Sequence, residues 1–165
     1  MGLFLSLVMA FTLSVGFVPP EIKLSGKEGG FVDGKPFSTQ MIKGKVYLVL
    51  YVDPDVRKLN KNLIEILKKQ NFDKEKFGSI VIINMKATWL PKFVLSKILK
   101  KKQKEFPDTI YVKDNNKVFV KKWGLKDDDY NVLIFDKDGK LIYKKSGKLS
   151  DEDINEIISL IKAHI

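Results

Sequence analysis

The pattern of apolar and polar positions predicts buried strands alternating with amphipathic helices. Every residue from 46 to 52, VYLVLYV, is apolar or aromatic, which predicts a central strand covered on both faces. The run from Ile80 to Ile83 predicts a second buried strand. Between these strands, one stripe of apolar residues predicts a helix; its members are Leu59, Leu63, Ile64, Ile66 and Leu67.

The second half of the chain continues this alternation. A helix is predicted from Lys92 to Glu105, ending before Pro107, with an apolar face of Phe93, Val94, Ile98 and Leu99. A strand TIYV, a turn at residues 114–116 and a short helix or strand ending at Gly124 follow. Two alternating runs joined by residues 136–139 predict a hairpin. Ser150 should cap the last helix, whose buried stripe is Ile154, Ile157, Ile158 and Ile161.

Residues 21–45 contain the turn signals Gly29-Gly30 and Asp33-Gly34, which predict one or two short strands before the first buried strand. The complete order is then a β lead-in, β, α, β, α, a short connecting unit, a β hairpin and α. This is the element order of a thioredoxin-like fold. We therefore predict an α/β protein, a thioredoxin-like three-layer α/β/α sandwich with a mixed central sheet and an N-terminal β extension.

The first stretch, MGLFLSLVMAFTLSVGFVPP, has no charged side chain and is short for a membrane span. Ser14 and Gly16 have the spacing of small residues that a signal peptidase favours. We predict that residues 1–16 are a signal peptide cleaved after Gly16, or an uncleaved anchor, that residues 17–165 form one domain, and that the protein is periplasmic. A buried N-terminal strand or helix is the alternative.

The net charge is +10, with 30 basic and 20 acidic residues, and Arg57 is the single arginine. Because base readout depends on the planar fork of arginine, we expect no nucleic-acid partner. Weak contact with an anionic membrane surface stays open, although a general lysine bias would give the same count. The lysine run Lys100 to Lys102 is interpreted first as the solvated side of its helix and second as a patch for an anionic partner.

The chain has no cysteine, and its one histidine is His164. This composition excludes disulfides, thiol nucleophiles, thiolate metal sites and two-histidine metal sites. Thiol–disulfide oxidoreductase and peroxiredoxin activities are therefore excluded. We expect no cofactor and no metal, and the oligomeric state stays open.

The stretch IKGKVYLVLYV resembles the strand that leads to the redox site in membrane-tethered and periplasmic thioredoxin-like proteins, where a Gly-Lys pair precedes the strand and a Cys-x-x-C turn follows it. Counting from Gly44-Lys45 places the two cysteine positions at Val56 and Leu59, or at Asp53 and Val56 in a shifted register. The superfamily's cis-proline precedes the hairpin strand, where this chain has Tyr130 and Asn131. Both halves of the redox site are therefore missing.

The chain also resembles the bacterial YtfJ family of small periplasmic thioredoxin-fold proteins. The resemblance depends on segments that run in order over nearly the whole chain after the first stretch: VPPEIKLSGKEGGF, GKVYLVLYV, KNLIEILKK, IVIINMKATW, KKKQKEFP, KKWGL and VLIFDKDGKLIYKKSGKLSDEDINEII. Members of that family are exported, and their biochemical role is not well defined. The resemblance implies fold and compartment more firmly than activity.

The turn VDPDV lies at the carboxyl end of the first buried strand, where open α/β sheets place ligands. A binding face on the former redox side would consist of Asp53, Pro54, Asp55, Val56, Leu59, Tyr130 and Asn131. The interpretation that we favour for Asp53 and Pro54 is helix capping. Asp127, Asp128 and Asp129 could hold a hard cation, but a solvated acidic turn is the preferred interpretation. Trp89 and Trp123 are expected to cap the core, with a partner-binding surface as the alternative.

These observations favour an exported, non-redox module that binds a protein or peptide partner in the cell envelope. The alternatives are a thiol-independent envelope enzyme, using carboxylates or a metal near the same turn, and a basic protein that binds anionic surfaces.

Overall fold

A computed structural model describes residues 11–165. The eight strands of this range are β1 (Lys23–Leu24), β2 (Gly29–Phe31), β3 (Phe37–Ser38), β4 (Val46–Val52), β5 (Phe77–Asn84), β6 (Thr109–Asp114), β7 (Tyr130–Phe135) and β8 (Leu141–Ser146). Its four α-helices are α1 (Lys61–Gln70), α2 (Lys92–Glu105), α3 (Val118–Trp123) and α4 (Asp151–His164). Within this described range, no helix is both long and apolar enough to cross a membrane.

Six strands form one mixed sheet in the order β2-β6-β5-β4-β7-β8. The strands β4, β5 and β6 run parallel, whereas β2, β7 and β8 pair antiparallel to their neighbours. All seven residues of β4 are buried, as its uninterrupted apolar run predicts. The predicted mixed sheet, with helices on both sides, is confirmed.

The two faces of the sheet carry separate apolar cores. One core contains side chains of α1, α2 and α4, including Leu63, Leu99 and Ile157. The other contains α3 and the lead-in strands, with Phe119 and Trp123 stacked edge to face at 5.0 Å between ring centroids. Successive residues of β4 alternate between the two cores, because neighbouring side chains of a strand point to opposite faces.

The short strands that precede β4 belong to two different sheets. The strands β1 and β3 pair with each other, and β2 joins the main sheet beside β6. Gly29 has φ of 124°, and a Cβ atom there would collide with the main-chain oxygen of Lys113. The pairing of β2 with β6 therefore requires glycine at this position. Short strands are confirmed in this segment, but the structure has three of them where one or two were predicted, and their distribution over two sheets was not predicted.

Part of the predicted leader, residues 11–16, lies inside the described range. Leu13 is buried in the core around Trp123, and the Gly16 N–H donates to the Leu141 carbonyl at 2.8 Å. Cleavage after Gly16 would remove Leu13 from this core. Residues 1–10 lie outside the described range, and export stays a prediction.

The predicted apolar face of α2 is wrong for two of its four residues. Phe93 is 66% exposed and Ile98 is exposed as well, whereas Leu95 and Leu99 are buried. The orientation follows from Gln103, whose side chain donates to the Thr109 carbonyl at 2.7 Å and accepts from the Tyr111 N–H at 3.0 Å. These bonds hold the Leu95–Leu99 side of the helix against β6. Phe93 is left pointing outward.

Candidate functional site

The turn after β4, residues 53–56, is held by main-chain and carboxylate hydrogen bonds, and we call it the Asp53 turn. The Asp53 N–H donates to the Asp129 carbonyl at 3.0 Å, and the Asp53 carboxylate accepts from the Asp55 N–H at 2.8 Å. Pro54 begins a single 3-10 turn that ends at Val56. The capping interpretation of Asp53 and Pro54 is therefore confirmed for this short turn. The α-helix itself begins only at Lys61.

The residues of this turn differ in their access to solvent. Asp53 and Pro54 are buried, Val56 is half-buried and Asp55 is exposed. Leu59, which the apolar stripe predicts to be a helix residue, precedes α1 and is 37% exposed. A ligand approaching this edge would therefore meet the side chains of Asp55, Val56 and Leu59.

Tyr130 and Asn131, the first two residues of β7, are both buried. Tyr130 lies in the core that contains α1 and α4. The Asn131 amide donates to the carbonyls of Lys126 at 2.9 Å and Tyr51 at 3.3 Å. Its oxygen accepts from the Lys126 N–H at 3.0 Å and from the Ser146 hydroxyl at 2.9 Å. The Asn131 side chain thereby holds Lys126 at the start of the loop 126–129, and neither Tyr130 nor Asn131 faces solvent.

The acidic residues Asp127 and Asp128 contact side chains from other parts of the chain. Asp127 accepts from the Lys117 ammonium at 2.6 Å and from the Asn84 amide at 2.8 Å. Burial alone would raise the pKa of Asp127, but these two hydrogen bonds, a third from the Asp128 N–H and the positive charge of Lys117 together lower that pKa. Asp128 lies 3.9 Å from the same ammonium. The described residues contain no group of three or more acidic or histidine side chains placed to hold a metal ion.

Burial raises the pKa of the Asp53 carboxyl, and the nearby charges of Asp55, Asp128 and Asp127 add to this increase. The hydrogen bond from the Asp55 N–H opposes it. The chain therefore keeps a poorly solvated carboxylate among other carboxylates at the edge of the sheet.

We expect Asp53→Asn to raise the free energy of unfolding at neutral pH. Because the pKa of Asp53 is raised in the folded state, protonation of this carboxyl adds to the free energy of unfolding. That contribution is complete below the ordinary pKa of 3.8 and is lost as pH rises through the folded-state pKa. Asparagine keeps the acceptor for the Asp55 N–H without the charge, so its advantage should be present at pH 7 and disappear toward pH 3. Urea unfolding at both pH values measures it.

The matched control is Asp73→Asn, because exposed Asp73 accepts the same kind of bond from the Glu75 N–H at 2.9 Å. A gain of equal size in both variants, or a gain that persists at pH 3, would contradict the burial argument.

Sequence reasoning misjudged one residue of this edge. Trp89 is 85% exposed, whereas Trp123 is 1% exposed, so core capping is confirmed for Trp123 and wrong for Trp89. The Thr88 hydroxyl donates to the Asp55 carboxylate at 3.0 Å, which holds the loop carrying Trp89 beside the Asp53 turn. The available signal was the position of Trp89 after a parallel strand, because the carboxyl ends of parallel strands share one edge.

The side chains assembled at this edge can make polar and apolar contacts but cannot exchange disulfides. The chain contains no cysteine, and exchange requires a thiolate nucleophile. The described residues contain no cis peptide bond either. The fold and this edge together define a thioredoxin-fold protein without the redox pair.

The chain belongs to a family described as bacterial proteins of unknown function, YtfJ_HI0045, whose model matches residues 20–164. No curated protein matches it.

Solved structures show the same fold at low sequence identity. A putative thioredoxin from Neisseria meningitidis has 15% identity and a TM-score of 0.61, with 88% of this chain and 90% of that chain covered. The thioredoxin domain of a Bacteroides vulgatus thiol-disulfide oxidoreductase has 20% identity and a TM-score of 0.62, with 91% and 99% covered. The exposed lipoprotein thioredoxin of Streptococcus pneumoniae has 16% identity and a TM-score of 0.56, with 86% and 99% covered. These similarities establish the thioredoxin-like fold.

Proposed function

We propose that the protein is an exported, non-redox module that binds a protein or peptide in the cell envelope through its former redox edge. The docking face consists of Asp55, Val56, Leu59 and Trp89. The observation that carries the proposal is the 85% exposure of Trp89 beside a turn held by the Asp53 and Thr88 hydrogen bonds. A large aromatic side chain left in water at a rigid edge gains free energy when a partner covers it.

The docking face combines apolar and polar groups in the manner of protein interfaces. Trp89 and Leu59 offer apolar surface, and the Asp55 carboxylate, held by Thr88, offers a fixed acceptor. Tryptophan is enriched among residues whose truncation costs about 2 kcal/mol or more of binding free energy. Trp89 is therefore the residue whose loss should weaken binding most.

The test begins with affinity capture from detergent-extracted cell envelopes. The bait is the wild-type chain, the docking-face variant Leu59→Ser with Trp89→Ser, or the control variant Phe93→Ser with Ile98→Ser. The control also removes two exposed apolar side chains, but from α2. We expect the wild type and the control to retain the same partner and the docking-face variant to lose it.

Direct titration of the captured partner then measures the affinity. Calorimetry is the readout, because Trp89→Ser removes the exposed tryptophan whose emission would otherwise report on binding. We expect Trp89→Ser to weaken binding by about thirtyfold or more. This factor corresponds to about 2 kcal/mol of binding free energy, the usual loss when a central interface tryptophan is truncated. Equal affinity of wild type and docking-face variant, or failure of the wild type to retain any partner, would refute the proposal.

A further inference from the structure

The outward face of α2 is strongly basic and carries an exposed aromatic ring. The helix contains six lysines and one glutamate. Leu95 and Leu99 face the sheet, so the residues on the opposite side of the helix point to solvent. We define the α2 outer face by its exposed members, which are Phe93, Lys97, Lys100, Lys101 and Lys104.

The positive charge of this face is not neutralised within the part of the chain that the structure describes. The one ion pair on α2 there joins Lys102 to Glu105 at 3.4 Å, and Lys102 is not a member of the outer face. Lys97 lies 6.0 Å from the centre of the Phe93 ring, a contact that leaves its charge in place. The four lysines therefore present an uncompensated positive surface.

Helix α1 lies on the same side of the sheet as α2. The Lys68 ammonium of α1 and the Lys102 ammonium of α2 lie 4.8 Å and 5.0 Å from the centre of the Phe106 ring, so the carboxyl-terminal ends of the two helices are near each other. Helix α1 adds three lysines against one glutamate, and that Glu65 is already paired with Lys61 at 3.4 Å. Two adjacent helices thus share one sign of charge.

We infer that the α2 outer face binds the surface of an anionic lipid bilayer. Lysines near an anionic leaflet are attracted to its headgroups, and their apolar stems can lie along the interface. A phenylalanine that is 66% exposed among them can enter the boundary between headgroups and acyl chains.

Shape favours a bilayer over a bound peptide or nucleic acid. The outer face of a helix is convex and can lie along a flat bilayer surface, whereas a bound peptide is usually held in a groove or along a sheet edge. Two shallow cavities of the described part lie on the other side of the sheet, and each is lined in part by Trp123. All basic residues of α2 are lysines, which attract phosphate charge without the planar fork that reads bases. This inference concerns a different surface from the docking face and does not depend on the proposed function.

The test compares sedimentation of the full chain with vesicles of phosphatidylcholine alone and of phosphatidylcholine mixed with phosphatidylglycerol. One variant changes Lys97, Lys100, Lys101 and Lys104 to glutamine. The control changes Lys121, Lys122, Lys137 and Lys140 to glutamine, and these are also exposed and outside ion pairs in the described residues. Both variants lose the same charge. Residues 1–16 carry no charged side chain and are identical in every protein compared.

We expect the wild type to prefer the anionic vesicles and the α2 variant to lose that preference by a factor on the order of one hundred. The control should stay within a few fold of the wild type. Phe93→Ser should lower partitioning about fivefold, because it removes apolar area but no charge.

Three results would overturn the inference. Equal loss in both glutamine variants would show that net charge alone causes binding. Equal partitioning of the wild type to both vesicle types would show that the face has no preference for anionic lipid. Tighter binding to double-stranded DNA or RNA than to anionic vesicles, retained as salt is raised, would assign the face to nucleic acid.

Discussion

Replacing Asp114 by alanine is expected to lower the free energy of unfolding by about 3 kcal/mol. Asp114 is fully buried at the end of β6 and accepts from the Tyr51 hydroxyl at 3.0 Å. Its two oxygens also accept from the N–H groups of Val118 at 2.9 Å and Phe119 at 3.0 Å, which begin α3. Alanine would leave these donors buried without partners. Urea denaturation at neutral pH measures the loss.

The control for this prediction is Asp136→Ala. Asp136 also accepts two main-chain N–H bonds, from Asp138 and Lys140 at 2.9 Å each, but it does so in a solvent-accessible turn, so water can replace the lost acceptor. Its cost should stay below about 1 kcal/mol. Losses of equal size would show that burial of the donors is not what makes Asp114 important.

Replacing Asn131 by alanine is expected to cost about 2–3 kcal/mol, because the amide satisfies four groups that have little access to water. The largest local effect should be at Lys126, whose N–H and carbonyl are both bonded to this side chain. The Lys126 amide hydrogen should exchange faster in the variant by hydrogen-exchange NMR, since its acceptor is gone.

A surface asparagine provides the comparison. The Asn115 side chain donates to the Lys27 carbonyl at 3.2 Å in a solvent-accessible position, and Asn115→Ala should cost no more than about 0.5 kcal/mol. If Asn131→Ala left the Lys126 exchange rate unchanged, Asn131 would not be holding the loop beside the Asp53 turn.

Sequence patterns were sufficient to predict the helix ends whose contacts are made by residues close together in the chain. The Ser150 hydroxyl accepts from the Asp153 N–H, and the Asp153 carboxylate accepts from the Ser150 N–H, so the predicted cap is a complete capping box. Gly124 ends α3 with φ of 65°, the conformation that glycine adopts without strain. Both features could be predicted because they need only a few adjacent residues.

Distant partners account for what the patterns missed. The sequence predicted Asp114 only as part of a turn, whereas its burial depends on Tyr51, which is 63 residues away in the chain. The apolar residues of α2 allow more than one stripe, and contact with β6 selected Leu95 and Leu99 over Phe93 and Ile98. Of the predicted binding residues, Tyr130 and Asn131 are buried, and Asn131 holds Lys126 in the adjacent loop. Trp89, which is outside that set, supplies the exposed apolar surface.

The sequence by itself determined the thioredoxin-like order of elements, the two-sided burial of β4 and the absence of thiol chemistry, because apolar periodicity and composition are properties of single residues and their neighbours. Only the tertiary structure decided which of two tryptophans is exposed, which aspartates are buried and which side of α2 meets solvent. These outcomes depend on the partners that the folded chain brings into contact. The exposed Trp89 edge and the basic outer face of α2 are therefore properties of the assembled fold.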